Sequence, residues 1–358
     1  MFSKIIFTLA ILALAITACS TPTPAPEPTA VPPTATEEIL PTAAPTDTPA
    51  PEPITLRVAL FPYSSYAPFY FAEAEGFFAE QGITIEWVDF TRQTEAVAAL
   101  ASGQVDAGGG VLDAGSMSAI GQGTGLMIVA DKGYVDPEAA CPYGAWMIRK
   151  DLYESGELND LKNLKGRNVV VPKTGFFEYA MDQLLAPAGL SVSDLEVVDM
   201  PGPARLEALT TGAVDVAQMG EPWITRALAS GEAVVWYPFE ETQPNAQYAV
   251  VWFGPTLTKE NPEAGRRFMV AYMKGVQQYN QGKTERNVAL MAELIKSTPE
   301  DAGASCWQAF TADGHVNLDF ISDFQEWALA KDYIDRVVPV EEFWDGSYLE
   351  YALQVLGQ

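Results

Sequence analysis

This chain of 358 residues has one histidine and three cysteines. No Cys-x-x-Cys pair and no Cys/His cluster occurs, so no spacing points to a metal site. His315 stands in an Asp313-Gly314-His315 turn, the setting of a surface residue. No Ser-His-Asp order and no Gly-x-Ser-x-Gly motif accompanies it. Basic residues are also scarce: 21 Lys and Arg face 47 Asp and Glu, a net charge of −26. That balance argues against nucleic acid, whose phosphates need Lys and Arg, and disfavours acidic lipid surfaces. Long apolar runs are missing as well. Residues 5–16 form the most apolar stretch, too short for a spanning helix of about 20 residues.

What the N-terminus does contain is ordered like a secretory signal. Lys4 precedes the apolar run, and Ile16-Thr17-Ala18-Cys19 closes it. Small residues before a cleavage point mark a signal peptide. The cysteine directly after them resembles the lipobox of bacterial lipoproteins, which implies a diacylglyceryl group on Cys19 and a membrane attachment through it. An uncleaved anchor with an incidental cysteine is the other reading. Residues 20–53 are almost all Pro, Thr, Ala and Glu. Such a segment has too few large apolar side chains to offset its ordering entropy. We expect a signal peptide at 1–19, a disordered linker at 20–53 and an extracytoplasmic folded part after it. With Cys19 lipidated, Cys141 and Cys306 remain, either bonded in an oxidising compartment or as two buried thiols.

The folded part reads as alternating strands and helices. Strands are expected at 55–60, 83–90, 105–107 and 126–130, with helices at 67–81, 91–102 and 113–120. The same order returns with strands at 168–171, 195–199 and 214–217, and helices at 176–188, 204–211 and 223–230. The echo reaches the letters: 99–106, ALASGQVD, matches 208–215, ALTTGAVD, and Val88-Asp89 upstream matches Val198-Asp199. Such alternation implies an α/β protein with mostly parallel sheets flanked by helices. Ligands of such sheets bind outside the carboxyl ends of the strands. Two similar lobes would put two such edges across one cleft.

Several segments carry a resemblance. Ala67-Pro68-Phe69-Tyr70-Phe71-Ala72-Glu73 and the following Glu75-Gly76-Phe77-Phe78, Leu164-Lys165-Gly166-Arg167-Asn168, Gly220-Glu221-Pro222-Trp223 and Asn261-Pro262-Glu263-Ala264 resemble the solute-binding proteins of ABC importers for taurine, alkanesulfonates, nitrate and thiamine pyrimidine precursors. The resemblance implies a two-lobed periplasmic-binding-protein type II fold: lobe one at 54–146, lobe two at 147–247, and a return to lobe one at 248–358. It implies a permease and its ATPase as partners, a small-molecule ligand, a monomer, and no cofactor. A receptor that feeds a sensor fits the same sequence. A synthase of the thiamine pyrimidine shares the fold but carries an active-site histidine and a cysteine run, which this chain lacks.

Candidate ligand contacts follow from strand ends. Tyr63 and Tyr66 lie after the first strand, where aromatics can stack on a ring or wall off an anion. Asp113 is placed to cap a helix and to touch a ligand. The resemblance puts a ligand loop at Thr174, Gly175 and Phe176. Glu221 either accepts from a ligand amine or caps a helix. Tyr134 and Tyr248 lie near the expected crossovers, and Trp223 is expected in the core. Few arginines occur in these loops, which tilts the ligand toward a flat heterocycle and away from an oxyanion, although helix N-termini alone can hold anions.

Overall fold

A β-branched, alternating run forms β1 (Ile54–Leu60), the first element of a computed structural model that describes residues 52–358. The expected signal peptide, Cys19 and nearly all of the linker lie outside the described residues. β2 (Ile83–Asp89), β3 (Ala107–Val111) and β4 (Met127–Tyr134) follow, each after a helix. A second group comprises β5 (Gly144–Arg149), β6 (Asn168–Val170), β7 (Glu196–Val198), β8 (Val216–Gly220) and β9 (Ala233–Pro238), and β10 (Gln247–Phe253) closes the set.

The strands make two five-stranded sheets, ordered β2-β1-β3-β10-β4 and β7-β6-β8-β5-β9. In each sheet one strand runs against the other four: β10 in the first and β5 in the second. Topology explains which strand it is. β4 ends at the cleft edge of the first sheet, so a chain crossing there enters the second sheet from its cleft side. It must run backward as β5. β9 and β10 repeat the logic in the other direction. The crossings lie between Tyr134 and Gly144 and between Pro238 and Gln247, so the second sheet begins slightly before Trp146.

The repeated aspartates prove to be structural. Asp106 N–H donates to Arg57 O and Asp215 N–H to Asn168 O, both at 2.8 Å, which fixes equivalent corners of the two sheets. The Asp106 carboxylate also accepts from Arg57 N, Nε and Nη2 at 2.8, 3.2 and 2.8 Å. Asp215 pairs with Arg149 at 3.3 Å and Arg167 at 3.8 Å. Arg57 is 39% exposed, so water screens part of its pair. Asp106→Asn should therefore cost about 1–2 kcal/mol of stability. Urea denaturation checks this; an unchanged midpoint would show that the corner needs no charge.

Each sheet has its own core. The helix Pro262–Asn280 buries Phe268 and Tyr272 against the first sheet, with rings 4.9 Å from Phe78 and 4.7 Å from Phe69. Trp146, Val169, Phe176 and Phe239 centre the second core. The C-terminal helix Ser347–Leu356 packs on the Pro262–Asn280 helix. The helix Leu318–Ala330 goes further, packing on both Ala114–Gly121 of lobe one and Phe176–Leu185 of lobe two. Cys141, in the first crossing, is disulfide-bonded to Cys306 on the lobe-one side.

Candidate functional site

The carboxyl edges of the two sheets face each other across a cleft of about 490 Å³. Its size falls within the roughly 300–1,000 Å³ of small-molecule sites. The loops after β1, β3, β6 and β8 line it, with Tyr143 from the end of the first crossing and Tyr248 from the start of β10. The lobes also touch directly. Ala114 N–H donates to Thr174 O at 2.8 Å and Phe176 N–H to Leu112 O at 2.9 Å. Asp113 and Gly175 thus form a short antiparallel bridge that closes one side of the cleft.

Seven of the expected residues, Tyr63, Tyr66, Asp113, Thr174, Gly175, Glu221 and Tyr248, line this cleft. Tyr63 is half-buried, its ring stacked at 6.3 Å from Phe61. Tyr66 is buried and donates its hydroxyl to Gly109 O, and burial pushes its phenol up. Asp113 caps the Ala114–Gly121 helix, accepting from Ser116 N at 2.6 Å. It also accepts from Gln93 Nε2, and burial raises its carboxyl. Thr174 acts through its backbone as well as facing the cleft: its φ is 64°, and its N–H donates to Glu178 Oε2 at 2.7 Å. At Gly175 a Cβ would lie 3.0 Å from Leu112 O, which is how closely the lobes approach there.

Glu221 is consumed by protein partners. It accepts from Thr225 N at 3.1 Å, Thr225 Oγ1 at 2.8 Å and Cys306 N at 3.2 Å. Its capping role is therefore the observed one, and burial raises its carboxyl. Tyr248 meets Tyr143 edge to face at 5.9 Å, and burial raises both phenols, Tyr143 to about 12.

Two expected contacts stand elsewhere. Phe176 points into the second core, with ring centroids 5.5 Å from Phe239 and 5.3 Å from Tyr248. The first residue of a helix whose N-cap lines the cleft turns inward here, and Phe177 takes the lining place. Tyr134 lies off the cleft at the end of β4, bridging Ala309 through its backbone.

The residues that loop reading misses reach in from strands and helices. Gln93 holds the end of β3, accepting from Val111 N at 2.8 Å and donating to Val111 O at 2.7 Å. Arg205, on the Gly202–Thr210 helix, donates to Met200 O at 2.7 Å and to the Gln218 side-chain oxygen. Burial lowers its pKa. Arg92, Lys132 and Lys173 also line the cleft, so the scarcity of arginine in the loops understates its basic character. Trp223, expected in the core, lines the cleft, and its Nε1 has no partner among the described residues. One signal was available. Gly108-Gly109-Gly110 is an unlikely strand, and glycine in a strand marks close approach. A Cβ at Gly109 would sit 2.3 Å from Lys132 Cδ, and one at Gly110 2.3 Å from Gln93 Oε1.

Chemically, the cleft offers aromatic faces, hydrogen-bond donors and four basic side chains. Among the described residues no histidine lines it; of its three acids Asp113 and Glu221 are held by caps, while Asp199 is exposed. No group of three or more His, Cys, Asp or Glu side chains among the described residues is placed to hold a metal. No described helix is long and apolar enough to cross a membrane.

The profile of the family described as NMT1/THI5 like matches residues 64–282. The riboflavin-binding protein RibY of Chloroflexus aurantiacus is 27% identical over 279 residues, which cover 76% of this chain and 73% of that protein. The ligand-binding component of an ABC-type import system from Staphylococcus aureus superposes with a TM-score of 0.69 at 14% identity, covering 83% of this chain and 98% of its own. The periplasmic nitrate-binding protein NrtA of Synechocystis PCC 6803 does so with a TM-score of 0.68 at 14% identity, covering 86% and 90%. The desulfurization enzyme DSZB has a TM-score of 0.62 at 14% identity, covering 84% and 99%. At such identities the likeness is one of fold, the type II binding-protein fold of two sheets flanked by helices. A fold shared by binders and an enzyme leaves function to the site.

Proposed function

The chain belongs to the NMT1/THI5-like family, and we propose from that premise that it is the extracytoplasmic solute-binding component of an ABC importer. It captures a flat heterocycle between its lobes, a flavin first, and hands it to a permease and its ATPase. The observation that carries this reading is the cleft between two strand edges, walled by Tyr63, Phe177, Trp223 and Tyr248. Aromatic faces favour a planar ring, and RibY is a riboflavin-binding protein by name. Lys132 and Arg205 favour a second reading, a sulfonate or nitrate ligand, because an oxyanion gains most from such donors.

A melting-curve screen with riboflavin, a thiamine pyrimidine, an alkanesulfonate and nitrate tests the reading. A ligand at a hundred times its Kd adds about 2.7 kcal/mol, roughly 5–10 °C for a domain of this size. Riboflavin should give that shift. A shift with nitrate or sulfonate alone would replace the heterocycle by an anion, and no shift with any solute would remove the binder.

Cys19 and the Pro/Thr-rich stretch after it support attachment of the monomeric protein to the outer face of the cytoplasmic membrane by lipid. Cys19→Ala should move the protein from the membrane fraction to the soluble extracytoplasmic one. Membrane retention with unchanged processing would refute the anchor.

A further inference from the structure

Lys132 is 2% exposed, yet it lines the cleft. It leaves β4, the edge strand, and lies flat over β3, where Gly109 provides the room. Besides the Lys132 Cδ clash, a Cβ at Gly109 would come within 2.9 Å of Val250 O, so the strand is bare where the lysine crosses it. At its tip, Nζ donates to Ser65 Oγ at 2.9 Å and sits 4.0 Å above the Tyr66 ring. Among the described residues no carboxylate lies within ion-pairing distance of it. Asp131, next in the chain, points the other way. It accepts from Gly133 N at 2.7 Å, Gln247 Nε2 at 2.8 Å and Thr311 N at 2.9 Å.

A buried cation is normally paired, because losing water without a counter-charge is costly. An ammonium has three protons to give. Here one goes to a hydroxyl and one faces a ring, which leaves a donor unspent at the inner end of the cleft. Burial accordingly pulls the Lys132 pKa down to about 7, against the opposing pull of Asp131.

We propose that Lys132 reads the ligand: the inner end of the cleft takes a neutral or anionic solute through an acceptor oxygen set against Lys132 Nζ and Ser65 Oγ, and it refuses cations. This rests on the reading of the cleft as a solute site and adds which end of the solute goes in first. For a planar heterocycle it is the carbonyl-bearing edge, since a ring carbonyl concentrates negative charge in the ring plane. For an oxyanion it is the charged group itself. A permanently cationic ring finds the protonated Lys132 as a like charge, so the titrations are run at about pH 6, below its pKa of about 7.

The experiment is calorimetric titration of the full chain with riboflavin, benzenesulfonate, nitrate and thiamine, alongside melting curves, for the parent and for Lys132→Met. Replacing a buried charge by an apolar side chain of similar shape is often neutral or stabilising for the fold. The expected result is therefore a split. Lys132→Met binds the parent's ligand at least tenfold more weakly but melts at the same or a higher temperature, and thiamine does not bind the parent. Parent-like binding by the variant, or thiamine binding by the parent, overturns the proposal and leaves the solute reading standing. Binding of none of the four probes overturns both. A lower melting temperature with affinity kept makes Lys132 structural. If Lys132→Met does not fold, Lys132→Gln is titrated in its place and the same outcomes decide.

Discussion

Reduction of the Cys141–Cys306 bond should lower the stability of the folded part by about 2–5 kcal/mol, the range for losing a native disulfide that closes a long loop. The two cysteines are 165 residues apart in sequence, and the cost of leaving a loop open grows with its length. The enclosed segment contains β5 to β10, the whole second sheet and the strand that returns from it. The bond therefore ties the first crossing to the C-terminal part of lobe one. Its effect reaches the cleft, because Cys306 N–H donates to Glu221 Oε1 at 3.2 Å, at the carboxyl end of β8. Cys141 is exposed, so reductant can reach the bond in the native state. Melting curves with and without dithiothreitol, and of Cys141→Ala with Cys306→Ala, should agree on a loss of roughly 5–15 °C, at about 2–4 °C per kcal/mol. Coincident curves would mean that the crossing is held by packing alone.

Much of this architecture was legible because period and punctuation are local. The helices ending at Gly103 and Gly212, each followed by an aspartate, announced two equivalent sheets, and Asp106 and Asp215 do occupy equivalent corners. The strands after them were placed too early, at 105–107 and 214–217, whereas β3 is Ala107–Val111 and β8 is Val216–Gly220. Three consecutive glycines have poor strand propensity. They form β3 because Lys132 and Gln93, distant in sequence, need the space above them. The expected 67–81 helix breaks at Gly76, whose φ of 78° stops Ala67–Ala74 before Phe77–Glu80 begins.

The site divided along the same line. Residues at strand ends, such as Tyr63 after β1 and Tyr248 at the start of β10, were found because strand ends are readable. Lys132 and Arg205 were not, since each sits inside a regular element and reaches the cleft only through the fold. The Cys141–Cys306 pairing was open for the same reason. Nothing local says that a crossing at Cys141 passes beside Cys306.

The second large effect is expected at a polar contact that touches no ligand. The helix Phe176–Leu185 of lobe two carries Asp182 and Glu178, and the chain at the end of Leu318–Ala330 carries Trp327, Lys331 and Tyr333. Asp182 Oδ2 accepts from Trp327 Nε1 at 2.9 Å and pairs with Lys331 Nζ at 2.5 Å, and Oδ1 accepts from Val192 N at 2.8 Å. Tyr333 OH donates to Glu178 Oε1 at 2.8 Å, and Glu178 Oε2 holds Thr174 N, part of the bridge that closes the cleft. Both carboxylates are largely buried, so these bonds are worth more than surface pairs. Contacts that exist only when the lobes meet bias the closed form, and a ligand of the closed form binds more weakly without them. Asp182→Ala should strand the Trp327 and Lys331 donors at a cost of roughly 2–3 kcal/mol, about thirtyfold to over a hundredfold in affinity. Calorimetric titration with the ligand from the melting screen reads that loss. Small-angle scattering of the unliganded variant should show a larger radius of gyration than the parent. Parent-like affinity together with a lower melting temperature would place the energy of this contact in folding and not in closure.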